Sequence, residues 1–513
     1  MLVIKLNLTM TKLITNRDRL TKLISTYKKK GKKISLAHGV FDVVHIGHIE
    51  YFKEAKKLSD ILIVSITADK FVNKGLNRPF FKEKDRIEFL DSLKMIDHVI
   101  VNENYDASKI INLIKPNYYI KGPDYKKDSG DTHGNLGKEK KAVISHGGKI
   151  YFTSGKQYSS SRLINEKLDF LSGIQKKHLD KFKNVNTKLT FHENFNRTLS
   201  KIKKNKILII GEIIIDNYRY VKPLSRPSKE NILSSEFVKN ESFLGGAVPI
   251  LKNICEMNDY VTFVSIHNDK KIINALKKNL KNKVKLKVFR NRKFVDIEKS
   301  RYVNIKTFSK MFEIYKFVNK NIFDKALMSF LKKNISSYDH VVVCDFGHGL
   351  INQEIIKILS KAKYISANIQ TNAGNRGYNL FTKYKKLDFL SIDEPELRLG
   401  LVDKESDLEV LLKKIQNKYK NILLTRGVDG LTYKAYKKKS VYFPALTTKP
   451  RDTIGAGDAA YSYASCFIKN NNDRYLVSLV AAIAGALKVD IIGHRDFVEK
   501  NNVYKTLIYL TKK

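Results

Sequence analysis

At 513 residues and 42% apolar residues the chain is long enough for about two or three cored domains, and it holds no run of eighteen apolar residues, which argues against a transmembrane helix. Its 96 Lys and Arg against 51 Asp and Glu give a net charge of +45, but the excess is mostly lysine spread along the whole chain with no folded nucleic-acid motif. Attraction of anionic sugar phosphates and nucleotides is therefore expected rather than nucleic-acid binding. Cys255, Cys344 and Cys466 are far apart and lack CxxC spacing, which argues against a disulfide framework or a cysteine-rich zinc site and fits a reducing cytoplasm; no secretory signal is evident at the start.

Polar amphipathic spacing over 11–30 predicts a helix ending in Lys28-Lys29-Lys30-Gly31. A strand over 34–37 then runs into His38-Gly39. Helix 49–58, strand 61–67, helix 84–93, strand 98–101, helix 108–114 and strands 118–121 and 149–152 follow. Such alternation predicts an α/β domain over 1–165, with a parallel sheet and helices on both faces. From 166 to 205 the sequence is rich in Lys and Asn, with helical spacing of Leu168, Phe170, Leu171 and Ile174, and predicts a helical linker. Alternation resumes at 206–211. Short apolar runs at 341–344, 364–367, 389–392 and 422–425 predict a second, larger α/β domain over 206–513. Polar, extended sequence between 220 and 243, with Pro223 and Pro227, predicts a small β-lid at its edge.

The first chemical constellation is His45-Ile-Gly-His48, where strand, tight turn and helix meet. That junction places backbone N–H groups against a phosphate. The two imidazoles are three residues apart and face one side, and Gly47 lets a ligand approach the backbone. Imidazole donors aimed at an α-phosphate would stabilise the charge that grows during in-line attack. Loss of one such donor typically costs roughly 3–4 kcal/mol of barrier. Zinc would need a third ligand, and none is evident beyond Asp42 in the turn.

In its context, Gly39-Val-Phe-Asp42 followed by His45-Ile-Gly-His48, this stretch resembles the cytidylyltransferase-like nucleotidyltransferases over about residues 30–165. The nearest resemblance is to the adenylyltransferase half of the bifunctional heptose-phosphate kinase/heptose-1-phosphate adenylyltransferases. Arg78-Pro79 with Arg86, Lys121-Gly-Pro-Asp-Tyr125 and Tyr158-Ser159-Ser160-Ser161 are similar to further segments of that family. The resemblance implies a Rossmann-like fold in which a sugar 1-phosphate attacks the α-phosphate of a nucleoside triphosphate and releases pyrophosphate. It implies catalytic roles for His45 and His48. It places Gly39, Phe41, Asp42, Gly47, Lys121, Ser159, Ser160 and Ser161 around the nucleotide and its phosphates. His38 departs from the small polar residue usual in the family.

The second constellation is Asp452-Thr-Ile-Gly-Ala-Gly-Asp458. Gly455 and Gly457 free backbone N–H groups at a helix entry to hold phosphate charge, and Asp458 stands as general base for an attacking hydroxyl. No suitable strand leads directly into it, which argues against a dinucleotide fingerprint. The motif resembles that of the ribokinase-like (PfkB) sugar kinases, and the likeness extends over 206–513. It implies a ribokinase-like α/β domain with a small lid and Asp458 as catalytic residue. Gly455, Ala456 and Gly457 would meet the phosphates, and Thr425, Gly427 and Gly430 the nucleotide. Asp216, Gly245, Gly246 and Arg301 would meet the sugar, with Lys299 or Arg301 on its phosphate, while Asp393 and Glu396 would be tied indirectly to Mg2+. Two positions depart from the pattern. Pro249 replaces an asparagine. Asn368-Ile-Gln-Thr-Asn-Ala-Gly-Asn375 replaces a DPKG-like segment, with asparagines that could bond a polyol or sugar.

Together the resemblances imply a kinase acting on a sugar 7-phosphate and a transferase acting on the derived 1-phosphate, after a separate phosphatase. The implied product is a nucleotide-activated heptose such as ADP-heptose for surface polysaccharide, with ATP and Mg2+ required. The family usually carries the kinase first; here the order is reversed, which leaves each core intact. CTP at the N-terminal site, with a polyol or sugar phosphate, is the second reading. A basic nucleic-acid-binding or scaffold protein is the reading from another class. The expected partners are sugar phosphates and nucleoside triphosphates, with no nucleic acid, no membrane insertion and homo-oligomerisation left open.

Overall fold

The computed structural model describes residues 12–72, 78–123, 136–154, 171–183, 189–225, 227, 230–280, 284–317, 322–447, 450–471 and 473–511. Two compact units divide the chain, Met1–Phe170 and Leu171–Lys513.

In the first unit, β1 (Leu13–Ile14), β2 (Ile34–Gly39), β3 (Ile61–Thr67), β4 (His98–Asn102), β5 (Tyr118–Lys121) and β6 (Lys149–Phe152) form one parallel sheet in the order β1-β4-β3-β2-β5-β6. Period-two alternation sorts side chains to two cores. Ile34, Leu36, Ile63 and Tyr119 pack on Leu20, Ile24 and Ile111 on one face. Ala37, Leu62, Val64 and Ile120 pack on Phe52, Ile87 and Leu90 on the other. Strand order reverses beside β2, whose neighbours are β3 and β5. Such a switch opens a crevice at the carboxyl ends of the strands, and helix Ile46–Lys57 starts at that end of β2. The helix expected over 11–30 is shorter, because β1 pairs with β4 and the Asn16 side chain accepts from the Asp18 and Arg19 amides, starting the helix at Arg17. Helix Leu136–Ile144 was not foreseen, since only Glu139, Ala142 and Val143 of it are buried.

The second unit holds β7 (Ile207–Gly211), β8 (Ile213–Pro223), β9 (Ser235–Gly246), β10 (Val261–Ile266), β11 (Lys285–Phe289), β12 (Ile297–Asn304) and β13 (Lys310–Lys316). It continues with β14 (His340–Asp345), β15 (Ile365–Ile369), β16 (Leu387–Asp393), β17 (Tyr419–Thr425), β18 (Leu431–Lys434) and β19 (Val441–Phe443). A nine-stranded sheet runs β11-β10-β7-β14-β15-β16-β17-β18-β19, parallel as far as β17 and antiparallel beyond. Register aligns Asn368 of β15 with Ser391 of β16, and Asp393 at the end of β16 with Thr425 at the end of β17.

Two expectations need correction here. The lid is a four-stranded sheet, β13-β12-β8-β9, rather than an edge confined to 220–243. Its β12 and β13 carry many charged residues, which hides their alternation. The stretch 166–205 is divided: residues from Leu171 onward belong to the second unit. Helix Gly173–Lys183 buries Phe182 against Phe443 and Tyr475, with ring centroids 5.0 Å away in each case. Helix Phe191–Ile202 buries Phe195 against Phe467 and Tyr504. Aromatic burial of this kind makes them part of the core rather than a solvated connection.

Candidate active sites

At the N-terminal site the β2 strand delivers the chain into a turn where Phe41 adopts a left-handed backbone, φ 49°, and its ring lies against Gly39 and Phe52. His45 caps helix Ile46–Lys57 in extended conformation, and its amide donates to His48 Nδ1 at 3.4 Å. The two imidazoles lie 4.0 Å apart by ring centroid, and Phe41 meets the His48 ring edge-on at 5.4 Å. The structure thus brings Gly39, Phe41, Gly47, His45 and His48 to one helix entry. Among the described residues no group of three His, Cys, Asp or Glu is placed to hold a metal.

Other residues singled out in this half do different work. Asp42 is buried and accepts from Arg78 Nη1 at 2.8 Å and from the Phe81 amide at 3.0 Å, so it anchors the neighbouring loop. Arg86 is 1% exposed and donates to the Phe81, Val40 and Thr67 carbonyls and to Asp69. It clamps the turns that frame the site. Lys121, expected on phosphate, instead forms a buried ion pair with Glu139 at 2.7 Å. Glu139 also accepts from Tyr119 Oη and the Ala107 amide. Ser159, Ser160 and Ser161 lie outside the described residues, as do Asp124 and Tyr125. Partial burial holds the His38 imidazole down at about 4, so it stays neutral beside Ser65.

In the second unit the ends of β15, β16 and β17 border a cavity of about 510 Å³. It gathers Thr425, Gly427, Gly430, Ala456, Gly457, Asp393 and Glu396, all expected from sequence. Sequence reasoning missed its apolar wall. That wall includes Ala481, Ala482, Gly485 and Ala486 of helix Arg474–Lys488, whose small side chains leave room for a flat ring. The run of small residues in an otherwise apolar helix was the available signal.

Asp458 sits in the first turn of helix Ala456–Asn470, which begins after Gly455 at φ 80°. A side chain on Gly455 would be strained and would press on His494 and Lys488. Asp458 Oδ1 accepts from Asn368 Nδ2 at 2.9 Å and Gln370 Nε2 at 2.6 Å. Burial pushes its carboxyl up to about 6, against the lowering effect of Gln370, Lys488 and Asn368. That value suits a general base working near neutrality. The Asn368 amide, expected to offer a hydrogen bond to a polyol or sugar, instead bonds Asp458, as does Gln370.

Residues 36–166 match the family described as Cytidylyltransferase-like, and residues 352–489 match the pfkB family carbohydrate kinases. The chain joins a cytidylyltransferase-like domain to a pfkB carbohydrate kinase domain. The bifunctional protein HldE of Pelobacter propionicus is 34% identical over 157 residues, 30% of this chain and 31% of that protein. HldE of Helicobacter pylori is 43% identical over 108 residues, 21% of this chain and 23% of its own length. The chain therefore spans less than a third of these curated relatives, and the similarity lies in the N-terminal domain. Phosphofructokinase-2 from Escherichia coli, in complex with substrates and products, is 12% identical with a TM-score of 0.49, covering 60% of this chain and 100% of that one. Ribokinase from Thermotoga maritima is 16% identical with a TM-score of 0.45, covering 59% and 99%.

In the kinase domain the lid presents a charged inner face. Asp216 lies on β8 of the lid, and its Oδ1 accepts from Arg301 Nη1 at 2.5 Å. Arg301 Nε also binds Glu313 at 3.1 Å, so two carboxylates hold it. Gly245 is required here, because a Cβ would overlap the Asp216 carboxylate. Gly246 starts helix Ala247–Cys255, in which Pro249 is buried. Lys299 stands beside Asp216 in register and is 8% exposed; burial lowers the proton affinity of its ammonium.

Asp452 had no role in the sequence analysis. It accepts from Lys310 Nζ, Tyr218 Oη and the Gly493 amide, each at 2.8 Å. Burial raises its carboxyl, but these donors outweigh that and hold it below the usual range. The motif's first aspartate thereby ties β8 and β13 of the lid to the 452–458 turn. Glu396 accepts from the Thr371 and Asp393 amides, and Asp393 accepts from the Glu396 amide. Burial raises both carboxyls. Buried Glu396 and half-buried Asp393 both border the cavity. The kinase and nucleotidyltransferase families imply nucleotide substrates. Among the described residues no helix is long and apolar enough to cross a membrane.

Proposed function

We propose that this chain supplies two successive transfers in making a nucleotide-activated sugar. In the kinase domain a sugar-phosphate hydroxyl attacks the γ-phosphorus of ATP. Asp458 takes the hydroxyl proton as the new P–O bond forms and ADP departs. The N–H groups around Gly455, Ala456 and Gly457 stabilise the transferring phosphoryl group. Thr425, Gly427 and Gly430 cradle the nucleotide. Mg2+, when bound near Asp393 and Glu396, neutralises triphosphate charge. In the N-terminal domain an oxygen of a sugar 1-phosphate attacks the α-phosphorus of a nucleoside triphosphate, with His45 and His48 as donors, and pyrophosphate departs.

The observation that carries this reading is Asp458: a buried carboxylate at a helix entry, gripped by Asn368 and Gln370, two residues that line the cavity of about 510 Å³. The resemblance of the N-terminal half to bifunctional heptose enzymes favours a heptose 7-phosphate as kinase substrate and ATP as nucleotidyl donor, in the cytoplasm. The test is phosphorus NMR and mass spectrometry of the full chain with Mg2+, ATP or CTP, and a panel of sugar phosphates. A bisphosphate from heptose 7-phosphate and ADP-heptose from heptose 1-phosphate are expected. Turnover with CTP and a polyol phosphate alone would replace the heptose reading.

A further inference from the structure

Helix Arg474–Lys488 ends in a lysine that the chemistry above does not use. Lys488 is 2% exposed, and among the described residues it forms no ion pair. Its ammonium instead donates to two backbone carbonyls of the following loop, Gly493 at 2.6 Å and Ile491 at 3.3 Å. An ammonium has three donors and no acceptor, and enclosing one without compensation is costly. The stem of the side chain also supports the catalytic turn: a Cβ on Gly455 would lie 3.1 Å from Lys488 Cε and 2.9 Å from His494 Cε1. On the other side, Asp452 stitches the same two segments, accepting from the Gly493 amide at 2.8 Å and the Ile454 amide at 3.1 Å.

We propose that Lys488 is a positioning residue of the kinase site, a built-in monovalent cation that holds the 452–458 turn against the 491–494 loop and whose charge faces Asp458. This rests on the reading of Asp458 as general base. The charges facing the ammonium are Asp452 and Asp458 from the turn, Asp216 from β8 and Lys310 from β13, with the buried, neutral His494 alongside. The two nearest carboxylates favour its charged form; burial opposes it and brings the ammonium down to about 8. In return the ammonium lowers the proton affinity of Asp458.

Three measurements on the full-length protein test the assignment. Lys488→Met keeps the stem and removes the charge. It is expected to lower kcat for phosphoryl transfer about tenfold, to change KM for the acceptor less than about threefold, and to move the acid limb of the pH profile up by about one unit. Lys488→Ala leaves space among the carbonyls. Ammonium chloride is expected to raise its melting temperature and restore part of its kcat, whereas tetramethylammonium chloride at equal ionic strength does neither, and the natural protein responds equally to both. An unmoved acid limb in Lys488→Met, or no ammonium-specific response in Lys488→Ala, overturns the proposal. If Lys488→Ala does not fold, the acid limb of Lys488→Met decides. If the natural protein transfers no phosphoryl group, the functional reading falls, and the ammonium-specific melting shift still decides the role of Lys488.

Discussion

Around the His45–His48 pair of the N-terminal domain, neighbouring cations are locked into the framework: Arg78 on Asp42, Arg86 on carbonyls and Asp69, Lys121 on Glu139 and Lys56 on Asp97. The kinase domain shows the converse. Asp458, Glu396 and Glu212 are buried carboxyls whose proton affinity burial raises, Glu212 to about 7. Among the described residues, the first site offers imidazoles and helix N–H groups as donors, and the second gathers buried acceptors. The contrast shows that a chain of net charge +45 can fix several of the cations framing a site in ion pairs. Transfer at the α-phosphorus needs aimed donors, while transfer to a sugar hydroxyl needs a base with a proton affinity near neutrality.

The sharpest way to break that contrast is Asp458→Asn. It is expected to lower phosphoryl transfer by about 10⁴-fold while pyrophosphate release by the N-terminal domain is unchanged. Coupled-enzyme assays of ADP and pyrophosphate on one preparation give both numbers; a parallel fall in the two would end the case for separate sites. Lys121→Met probes the other half. It leaves Glu139 buried without its cation, so about 3 kcal/mol of stability should be lost in urea unfolding while KM for the nucleotide changes little. A large rise in KM at unchanged stability would return Lys121 to the phosphates.

Much of this organisation was legible in sequence because period and spacing are local. The helix over 108–114 and the strands over 118–121 and 149–152 stand at the observed positions. Asp458, the glycine turn and the histidine pair were legible for the same reason. What escaped depends on partners far along the chain. Lys488 is one of 96 Lys and Arg, and only the fold encloses it. Arg301 and Lys121 appeared to be phosphate ligands because the carboxylates that hold them, Asp216 and Glu139, lie 85 and 18 positions away. Asn368 offered a hydrogen bond in sequence, but only the structure shows that Asp458 takes it, together with one from Gln370.

His48→Ala should reduce nucleotidyl transfer about 10²-fold and leave the kinase intact, since it removes one of two donors while the helix entry remains. Steady-state pyrophosphate release checks it; a loss below threefold would assign His48 to packing on Phe41. The pH profiles should differ as well. Asp458 acts ionised and its carboxyl titrates at about 6, so kcat/KM for phosphoryl transfer rises through about pH 6 and levels above it. Below that point it falls about tenfold per unit. Nucleotidyl transfer lacks a limb from this group, and an acid limb for the kinase near the ordinary carboxyl value would mean that Asp458 is well solvated.

The smallest expected effect concerns the lid. Lys310 reaches from β13 to Asp452 at 2.8 Å, but its side chain is 31% exposed, so solvent screens the pair. Exposed ion pairs contribute about 1 kcal/mol or less. Tyr218 and the Gly493 amide still hold Asp452 when Lys310 is gone. Lys310→Met should therefore raise KM for the sugar phosphate by about threefold and leave kcat and nucleotide affinity unchanged, because the lid is loosened while the turn keeps its shape. A fall in kcat comparable to that of Lys488→Met would show instead that the lid strand and the catalytic turn move as one piece.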